Sequence, residues 1–432
     1  MTGWRPTAAL GRAVVVGTAG IALAVLFGDP VLVVLVAPLV LLAALALLHR
    51  PASSPRLYAG LDHVTLHEGQ GTVSRLRIDD PSDVEHVTRV SAGAPYVASR
   101  PLSGNAGAIV DGDPGRVPTL EVSPRRWGRR TLGEEKVGLT SAWAGYRWGP
   151  VPLSGQAMDV LPGRAPYDST AEVPAPIGLV GRHRSQRTGD GSEFAAIRPF
   201  HAGDKLRRIN WRVSLRSDAL HVVTARAEQD AGVLLVVDAL ADHGASGGVD
   251  GQESSLDVTV RAAAAVAEHH VRNGDRVSMR VVGPGHELVG HGTGTRHLRQ
   301  LLGKLARIRP GEPRDLAADR LQLRVTAGTV VIVLSPMLAE AIGTVTALLA
   351  KRGLPVLVVD TLPEDVVPAV TEGTSAEVAG LAWRMRRVDR DQQLARLATL
   401  GCPVVPWRGP GTLDEVMRRL ARRAQQPRVV VR

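Results

Sequence analysis

Cysteine and aromatic residues are scarce in this sequence. Cys402 is the single cysteine among 432 residues, which excludes a disulfide bond within the chain and a zinc site built from cysteines. A lone cysteine fits a reducing compartment. Aromatic residues make up 3% of the chain, but apolar residues make up 44%, enough to form hydrophobic cores. The length predicts two or three domains.

Acidic residues are also in short supply. The chain has 42 Asp and Glu against 52 Lys and Arg, which gives a formal net charge of +10. Such an excess favours nucleic acid or anionic lipid as a partner, although a solvated, arginine-rich surface explains it without any partner. Because attraction to a membrane surface accounts for the same charge, we expect membrane lipids and no nucleic acid among the partners.

Sequence signatures of the common enzymes are absent. The chain has no Gly-x-Ser-x-Gly elbow and no His-Glu-x-x-His motif. The glycine-rich residues 283–294 are not followed by the Lys-Ser/Thr of a phosphate loop and are interpreted as a hairpin-like loop. Cys402 has no predicted base nearby. We therefore predict no catalytic residue and do not expect an enzyme; a hydrolase is the weakest of the alternatives.

Two uncharged apolar runs lie close together near the N-terminus. They span residues 13–27 and 31–48, and Gly28-Asp29-Pro30 between them is typical of a turn. At about 1.5 Å per residue the second run reaches roughly 27 Å, close to the thickness of the hydrocarbon core. The runs predict a membrane helical hairpin. A cleaved signal peptide is the alternative for the first run, but no small-x-small cleavage site precedes the turn.

Charges that flank the two runs predict the orientation of the hairpin. Arg5 and Arg12 precede the first run, Arg50 and Arg56 follow the second, and the connecting turn carries only Asp29. By the positive-inside rule, both ends of the hairpin lie in the cytoplasm. We therefore expect a multi-pass protein of the cell (inner or plasma) membrane with its soluble domains in the cytoplasm.

The pattern of polarity changes along the soluble portion. From residue 56 to about 165, short alternating runs are interrupted by Gly, Pro, Asp and Ser, which predicts a small all-β, sandwich-like domain. Its aromatic residues, among them Trp143 and Tyr146, are interpreted as core or rim. From residue 231, continuous apolar strands alternate with amphipathic helices, which predicts an α/β doubly wound domain. The predicted strands are 232–238, 276–282, 329–334 and 354–360, and the predicted helices are 256–271, 297–308, 338–351 and an Arg-rich helix at 413–423.

The most distinctive stretch of the chain lies between residues 181 and 216. It contains Gly-Ser-Glu-Phe at 191–194, Arg-Pro-Phe-His-Ala-Gly-Asp at 198–204 and Arg-Ile-Asn-Trp at 208–211. Its carboxylates and arginines can form an ion-pair network, and the tryptophan offers a ring for stacking. Such contacts either lock the segment onto the α/β domain, which we favour, or present a basic docking face. The candidate residues are Glu193, Phe194, Arg198, Gly203, Asp204, Arg207, Arg208, Asn210 and Trp211.

These three motifs in this order resemble the bacterial family called domain of unknown function 58. The layout of paired membrane helices, a β-rich region, the signature and an α/β domain similar to von Willebrand factor type A also agrees. Family members resemble components encoded beside MoxR-type AAA ATPases, which implies such an ATPase as partner in a chaperone-like or envelope-related assembly. We therefore expect a membrane-anchored interaction or scaffold protein. A metal-dependent protein-binding type A domain and a basic nucleic-acid-binding membrane protein are the alternatives.

The resemblance to type A domains raises the question of a metal site. Such domains often hold magnesium through Asp-x-Ser-x-Ser, a threonine and a further aspartate at the carboxyl edge of the sheet. Here Asp238 is followed by Leu240 and Asp242 at the two serine positions, and Ser335 stands where the acidic ligand is expected. We therefore expect a degenerate site and no cofactor. A rebuilt magnesium site would use Asp238, Asp242 and Ser335.

These interpretations together predict the organisation of the whole chain. The predicted segments are a cytoplasmic N-terminus at 1–12, transmembrane helices at 13–27 and 31–48, a β-rich domain at 56–165, the signature segment at 178–230, and a von Willebrand factor type A-like α/β domain with a basic C-terminal helix at 231–432.

Overall fold

The computed structural model describes most of the chain. The described residues are 3–102, 104–111, 113–163, 184–201, 206–217, 219–228, 232–285, 288–312, 325, 329–366, 373, 375–409 and 411–412. For residues 184–196, 207 and 224–228 the backbone alone is described. The predicted C-terminal helix at 413–423 lies outside the described residues. The chain divides into two compact units, Met1–Gly163 with Gly248–Asp250 and Arg164–Gly247 with Gly251–Arg432.

Two apolar helices begin the first unit, α1 (Ala8–Phe27) and α2 (Pro30–Leu48). The Thr7 hydroxyl starts α1 by accepting a hydrogen bond from the Leu10 amide at 3.1 Å. Gly28 ends this helix in the left-handed conformation, with φ 68°. Asp29 then starts α2 by accepting a hydrogen bond from the Val31 amide at 2.9 Å. Because Thr7 caps the helix, α1 begins before the predicted span of 13–27.

Both helices are long and apolar enough, by length and composition, to cross a membrane. The mean hydropathy of the most apolar stretch is 2.0 in α1 and 3.2 in α2. Only 22% of that stretch in α1 and 17% of it in α2 is buried inside the protein. Where the helices meet, Gly20 permits close approach, since a Cβ added there would lie 2.3 Å from Cγ1 of Val36. Most of the apolar surface of the pair is therefore left uncovered by the residues that the structure describes.

The remainder of the first unit is rich in strands, as predicted. The strands are β1 (Arg5–Pro6), β2 (Arg56–Leu61), β3 (Thr65–His67), β4 (Thr72–Asp79), β5 (His86–Ser91), β6 (Val97–Arg100), β7 (Asn105–Ile109), β8 (Leu120–Pro124), β9 (Gly128–Thr131), β10 (Glu135–Thr140), β11 (Tyr146–Pro152) and β12 (Ala157–Leu161). They form a five-stranded sheet of order β1-β11-β10-β5-β7, a four-stranded sheet of order β2-β4-β8-β6 and a three-stranded sheet of order β3-β12-β9.

The five-stranded and four-stranded sheets share one hydrophobic core. Ile78 on β4 packs in the same cluster as Val87 on β5, Leu139 on β10 and Trp148 on β11. Buried aliphatic side chains thus alternate with exposed ones along each strand, which is the pattern of a sheet with one covered face. Trp148 is buried in this core, and Trp143 is 48% exposed.

A buried polar network also connects these two sheets. Arg89 on β5 donates through Nη2 to Oε1 of Glu135 at 2.8 Å and to Oγ of Ser74, on β4, at 2.5 Å. Its Nη1 donates to the Ser74 carbonyl at 2.8 Å. Gln156 donates to Oε2 of Glu135 at 2.8 Å. Burial lowers the pKa of Arg89, and the charge of Glu135 opposes that shift. The arginine therefore keeps its charge through several hydrogen bonds rather than through water.

The second unit contains the remaining strands and helices. They are β13 (Arg184–Pro199), α3 (Trp211–Ser217), β14 (His221–Glu228), β15 (Gly232–Asp238), α4 (Ser255–Arg272), β16 (Arg276–Val282), β17 (Leu288–Gly292), α5 (Gly294–Leu305), β18 (Val330–Ser335), α6 (Glu340–Lys351), β19 (Val356–Asp360), α7 (Ala376–Thr399) and β20 (Val404–Pro406). The predicted strands at 232–238 and 276–282 are found with the same bounds.

A six-stranded sheet forms the centre of this unit. Its order is β17-β16-β15-β18-β19-β20, and every neighbouring pair is parallel except β16 with β17. The chain enters in the middle at β15, moves outward to one side and then returns to build the other side, which is the order of a doubly wound sheet. Ile342 of α6 packs in one core cluster with Leu234 and Val236 of β15. β16 and β17 pair antiparallel, but β17 occupies Leu288–Gly292, so part of the glycine-rich residues 283–294 that were predicted as a hairpin-like loop is a strand.

Helix α7 is long and was not predicted from the sequence. One of its faces is packed on the sheet, where Leu397 joins the core of Val333 and Val358. The opposite face carries four exposed apolar side chains at helical spacing, 53–63% exposed: Val378, Leu381, Met385 and Val388. Because both of these faces carry apolar residues, the helix has no single polar side. It therefore lacks the amphipathic pattern by which a surface helix is recognised in a sequence.

Candidate functional site

The signature residues lie on a two-stranded ribbon and on the short helix beside it. β13 and β14 pair antiparallel, with Arg198 opposite Val222. Glu193 and Phe194 lie on β13, and the backbone of Phe194 is opposite Ala225. Arg207 lies in the 3-10 turn Leu206–Arg208. The side chains of Glu193, Phe194 and Arg207 lie outside the described part of the chain, as do Gly203 and Asp204 entirely, so the ion-pair network predicted for the signature stays a prediction.

Asn210 fixes helix α3 against β14. Its Oδ1 accepts a hydrogen bond from the Val213 amide at 3.2 Å, which caps the start of the helix. Its own amide donates to the His221 carbonyl at 2.8 Å. The Ser214 hydroxyl donates to the Asn210 carbonyl at 2.8 Å and accepts from the His221 amide at 2.9 Å. At this position the signature therefore has a structural role: it sets the direction of α3.

The outer face of α3 is apolar and exposed. Trp211 is 62% exposed and Leu215, one helical turn later, is 83% exposed. Leu206, in the preceding 3-10 turn, is 70% exposed. Arg212 and Arg216 on the same helix are also exposed. We call these five residues the α3 face. Its signal in the sequence is a tryptophan and a leucine four residues apart.

The arginine of the second motif has local partners. Arg198 is half-buried, and its Nη1 donates to the Pro199 carbonyl at 3.0 Å and lies 2.9 Å from Nδ1 of His201. Arg208 is half-buried and lies three positions before the exposed Trp211. The contacts of Arg198 lie at the end of β13.

The residual metal candidates lie at the carboxyl edge of the six-stranded sheet, where β15 and β18 end side by side. Asp238 is buried, and Oδ2 accepts a hydrogen bond from Ser335 Oγ at 2.6 Å. Its Oδ1 accepts from the Leu240 amide at 3.0 Å. Burial raises the pKa of Asp238, and these two hydrogen bonds partly oppose the shift. Both carboxylate oxygens thus already have partners.

Asp242 is used differently from Asp238. Its Oδ1 accepts a hydrogen bond from the Leu256 amide, near the start of α4, at 3.1 Å. Leu240 between the two aspartates is buried and has no ligand atom. Among the described residues, no group of three or more His, Cys, Asp or Glu side chains is arranged to hold a metal ion.

A fixed cation lies at the same edge of the sheet. Arg390 of α7 is buried, and its Nε donates to the Pro336 carbonyl, just after β18, at 2.8 Å. Its Nη2 donates to Oδ2 of Asp360 at the end of β19. Nearby, the hydroxyls of Thr259 and Thr361 are 2.6 Å apart. The Arg390 guanidinium and one pair of hydroxyls therefore supply polar contacts at this edge of the sheet.

We predict that millimolar magnesium leaves the unfolding temperature of the protein unchanged. Asp238 and Asp242 are engaged in hydrogen bonds, and Leu240 separates them, so octahedral oxygen coordination would require breaking both sets of contacts. Differential scanning fluorimetry with and without magnesium or manganese measures the effect, and Asp238→Ala is the control. A metal-dependent rise in unfolding temperature that Asp238→Ala abolishes would contradict the prediction and establish a rebuilt site.

A comparison with known protein families gives a match. The family model described as protein of unknown function DUF58 matches residues 196–392. This range begins in β13, takes in the α3 face and the sheet edge with Asp238, and ends in α7 just after Arg390. No curated protein matches the chain.

Proposed function

Since this chain belongs to the DUF58 family, we propose that it is a membrane-anchored, cytoplasm-facing interaction protein that binds a partner protein through the α3 face. By family resemblance the partner is a MoxR-type AAA ATPase, in a chaperone-like or envelope-related assembly. The chain acts in this proposal by binding and not by catalysis. Its sheet would belong to the von Willebrand factor type A class, a fold that commonly serves protein binding.

The exposed α3 face is the observation that carries the proposal. Trp211 and Leu215 are large apolar side chains left in water on a helix whose direction Asn210 and Ser214 fix. Tryptophan and arginine are the residue types most enriched where binding energy concentrates in interfaces. Arg212 and Arg216 give the face a positive charge. The expected partner surface is therefore a shallow apolar pocket bordered by acidic side chains.

The two N-terminal helices support the anchor. The described part of the chain leaves most of their apolar side chains uncovered, and the turn between them carries only Asp29 as a charged residue. Arg5, Arg12, Arg50 and Arg56 flank the opposite ends. The positive-inside rule then puts the α3 face on the cytoplasmic side, where an ATPase would have access to ATP.

We predict that Trp211→Ala with Leu215→Ala lowers recovery of the ATPase by at least about tenfold, since each interface hot spot is worth about 2 kcal/mol or more. The measurement is cross-linking of the tagged full-length protein in native membranes, followed by affinity purification and quantification of co-purified ATPases. Alanine keeps the helix intact, because both side chains are exposed and alanine favours helix.

The matched control for this experiment is Leu288→Ala. Leu288 is 62% exposed on the edge strand β17, outside the α3 face. We expect this variant to recover as much ATPase as the unsubstituted protein. Equal recovery by all three proteins would reject the α3 face as the docking surface, and the absence of any ATPase in every sample would reject the proposed partner.

A further inference from the structure

The start of α1 and the end of α2 lie at the same end of the hairpin. This end packs against the β-rich part of the same unit. Tyr146, the first residue of β11, is buried in one cluster with Leu10 and Ala13 of α1 and Ala43 and Ala46 of α2. These contacts join the first turns of α1 and the last turns of α2 to a single strand end. The hairpin and this strand therefore pack as one body.

Hydrogen bonds fix the same junction. The Thr7 hydroxyl donates to the Ala144 carbonyl at 2.6 Å, and the Thr7 amide donates to the Gly145 carbonyl at 2.9 Å. A Cβ on Gly145 would lie 2.6 Å from that of Ala46, so only glycine permits this approach to α2. The segment 142–147 is thus fixed alongside the ends of the two helices.

The lengths of the helices place this segment at the membrane boundary. Helices of 20 and 19 residues extend for about 30 and 28 Å. These lengths do not exceed the thickness of the hydrocarbon core of a bilayer, about 30 Å. The contacts at Ala13 and Ala43 lie about 7 Å inside the outer ends of the two helices. If the helices span the bilayer, the segment 142–147 cannot stay in bulk water and must lie at the level of the headgroups.

The side chains on this segment suit that level. Trp143 is 48% exposed, and both Trp143 and Ala144 are in the left-handed region, with φ of 57° and 52°, so that the backbone is bent where the indole faces outward. Tryptophan is enriched where a membrane meets water, because its ring is apolar and its N–H is polar.

A pair of arginines completes the surface. Arg5 on β1 lies directly opposite Arg147 on β11, and both are exposed. Directly opposed residues of an antiparallel pair project from the same face of the sheet, where like charges repel. An anionic group between the two guanidinium groups removes this repulsion, and phosphate is the anion that arginine binds best through paired N–H donors.

We propose that Trp143, Arg5 and Arg147 form an interfacial ledge that binds the headgroups of anionic lipids and holds the β-rich unit against the bilayer. The inference rests on the membrane anchor of the proposed function and adds a second lipid contact to it. The indole lies at the boundary between acyl chains and headgroups, and the two guanidinium groups bind lipid phosphates. The ledge is continuous with the two apolar helices, which is why lipid is its occupant.

The test measures the depth of a nitroxide label at three positions of the full-length protein. The label is attached to Trp143→Cys, Leu41→Cys or Leu102→Cys in a Cys402→Ala background, in vesicles of phosphatidylcholine with phosphatidylglycerol. Leu41, near the middle of α2, is 61% exposed and reports the bilayer interior. Leu102 is 94% exposed and reports water. It precedes β7, which forms the edge of the five-stranded sheet farthest from β1. Across the sheet, Asn105 of β7 is level with the end of β11 that lies away from the helices.

Collision rates with oxygen and with a nickel chelate give the depth. We expect the oxygen-to-nickel ratio at position 143 to fall between the ratios at 41 and 102. A ratio equal to that at 102, with 41 still buried in lipid, overturns the ledge and leaves the anchor intact. If 41 also has the ratio of 102, the anchor itself fails. Shielding of position 143 from both reagents means that protein covers it, which also overturns the proposal.

A second arm tests the lipid charge. We expect Arg5→Gln with Arg147→Gln, or vesicles of phosphatidylcholine alone, to move the ratio at position 143 towards the water value by about half the original difference or more. Arg352→Gln is the matched control, because Arg352 is exposed and lies in the second unit. An unchanged ratio in the double variant overturns the assignment of the two arginines to headgroups.

Discussion

Replacing Arg89 by methionine is expected to destabilise the β-rich unit by about 3–5 kcal/mol, the usual consequence of removing one partner from a buried ion pair. The side chains of Arg89 and Glu135 are 0% and 3% exposed, and Nη2 and Oε1 are 2.8 Å apart. Without the guanidinium, Glu135 keeps only Gln156 as a partner in the network, and the Ser74 carbonyl loses its donor. A negative charge would then be buried with few hydrogen bonds.

The chain offers a matched control for this substitution. Arg75 and Asp62 are joined at the same distance, 2.8 Å, but their side chains are 56% and 33% exposed. Solvent screens this pair, so Arg75→Met should leave the free energy of unfolding nearly unchanged. Unfolding of both variants by urea in detergent micelles, compared with the unsubstituted protein, measures the difference. Equal effects of the two substitutions would contradict the prediction, because burial is then not what makes the network important.

Replacing Arg390 by methionine is expected to release helix α7 from the sheet. The substitution removes the counter-charge of Asp360 and the donor to the Pro336 carbonyl. A loss of about 3–5 kcal/mol corresponds to amide exchange about two to four orders of magnitude faster in α7, provided that opening is local. Hydrogen–deuterium exchange with mass spectrometry measures this, peptide by peptide, and the β-rich unit serves as an internal reference.

Two further variants make the Arg390 prediction specific. Arg386→Met removes an exposed arginine from the same helix and should leave exchange in α7 unchanged. Arg390→Met combined with Asp360→Asn removes both charges, while the asparagine can still accept the Leu362 amide hydrogen bond, 3.1 Å in the native chain. We expect the pair of substitutions to restore much of the protection, since an uncharged pair leaves no buried charge. Rapid exchange in the combined variant equal to that of Arg390→Met would show that the charge of Asp360 is not the cause.

Most of the helices and strands that could be predicted from the sequence were recognised from runs of apolar residues. β15 is seven buried residues in succession, so its bounds could be read from Gly232 and Asp238 at its ends. The two apolar helices were equally clear, because no charged residue lies within residues 13–27 or 31–48. β1 could not be predicted: Arg5 and Pro6 form a strand only because β11 lies beside them. A two-residue pairing depends on tertiary contacts and not on local propensity.

The site was harder to predict than the fold. From the sequence, Trp211 was interpreted as a stacking plate in a structural lock, but its exposure depends on how Asn210 caps α3 against β14. Arg390 was missed because it is one of many arginines in α7, and only the packing of the helix shows which of them is buried. The choice between a lock and a docking face was a choice about burial, which the order of residues along the chain does not determine.

The pairing of β1 with β11 also bears on how the protein is made. Thr7 bonds to Ala144, a residue 137 positions later in the chain. At a synthesis rate of about 5–20 residues per second, the N-terminal residues wait roughly 7–27 seconds for this partner to leave the ribosome. The helical hairpin is complete long before then. The five-stranded sheet can therefore close only after the helical hairpin has formed, and under the proposed anchor this last step of folding takes place at the bilayer surface.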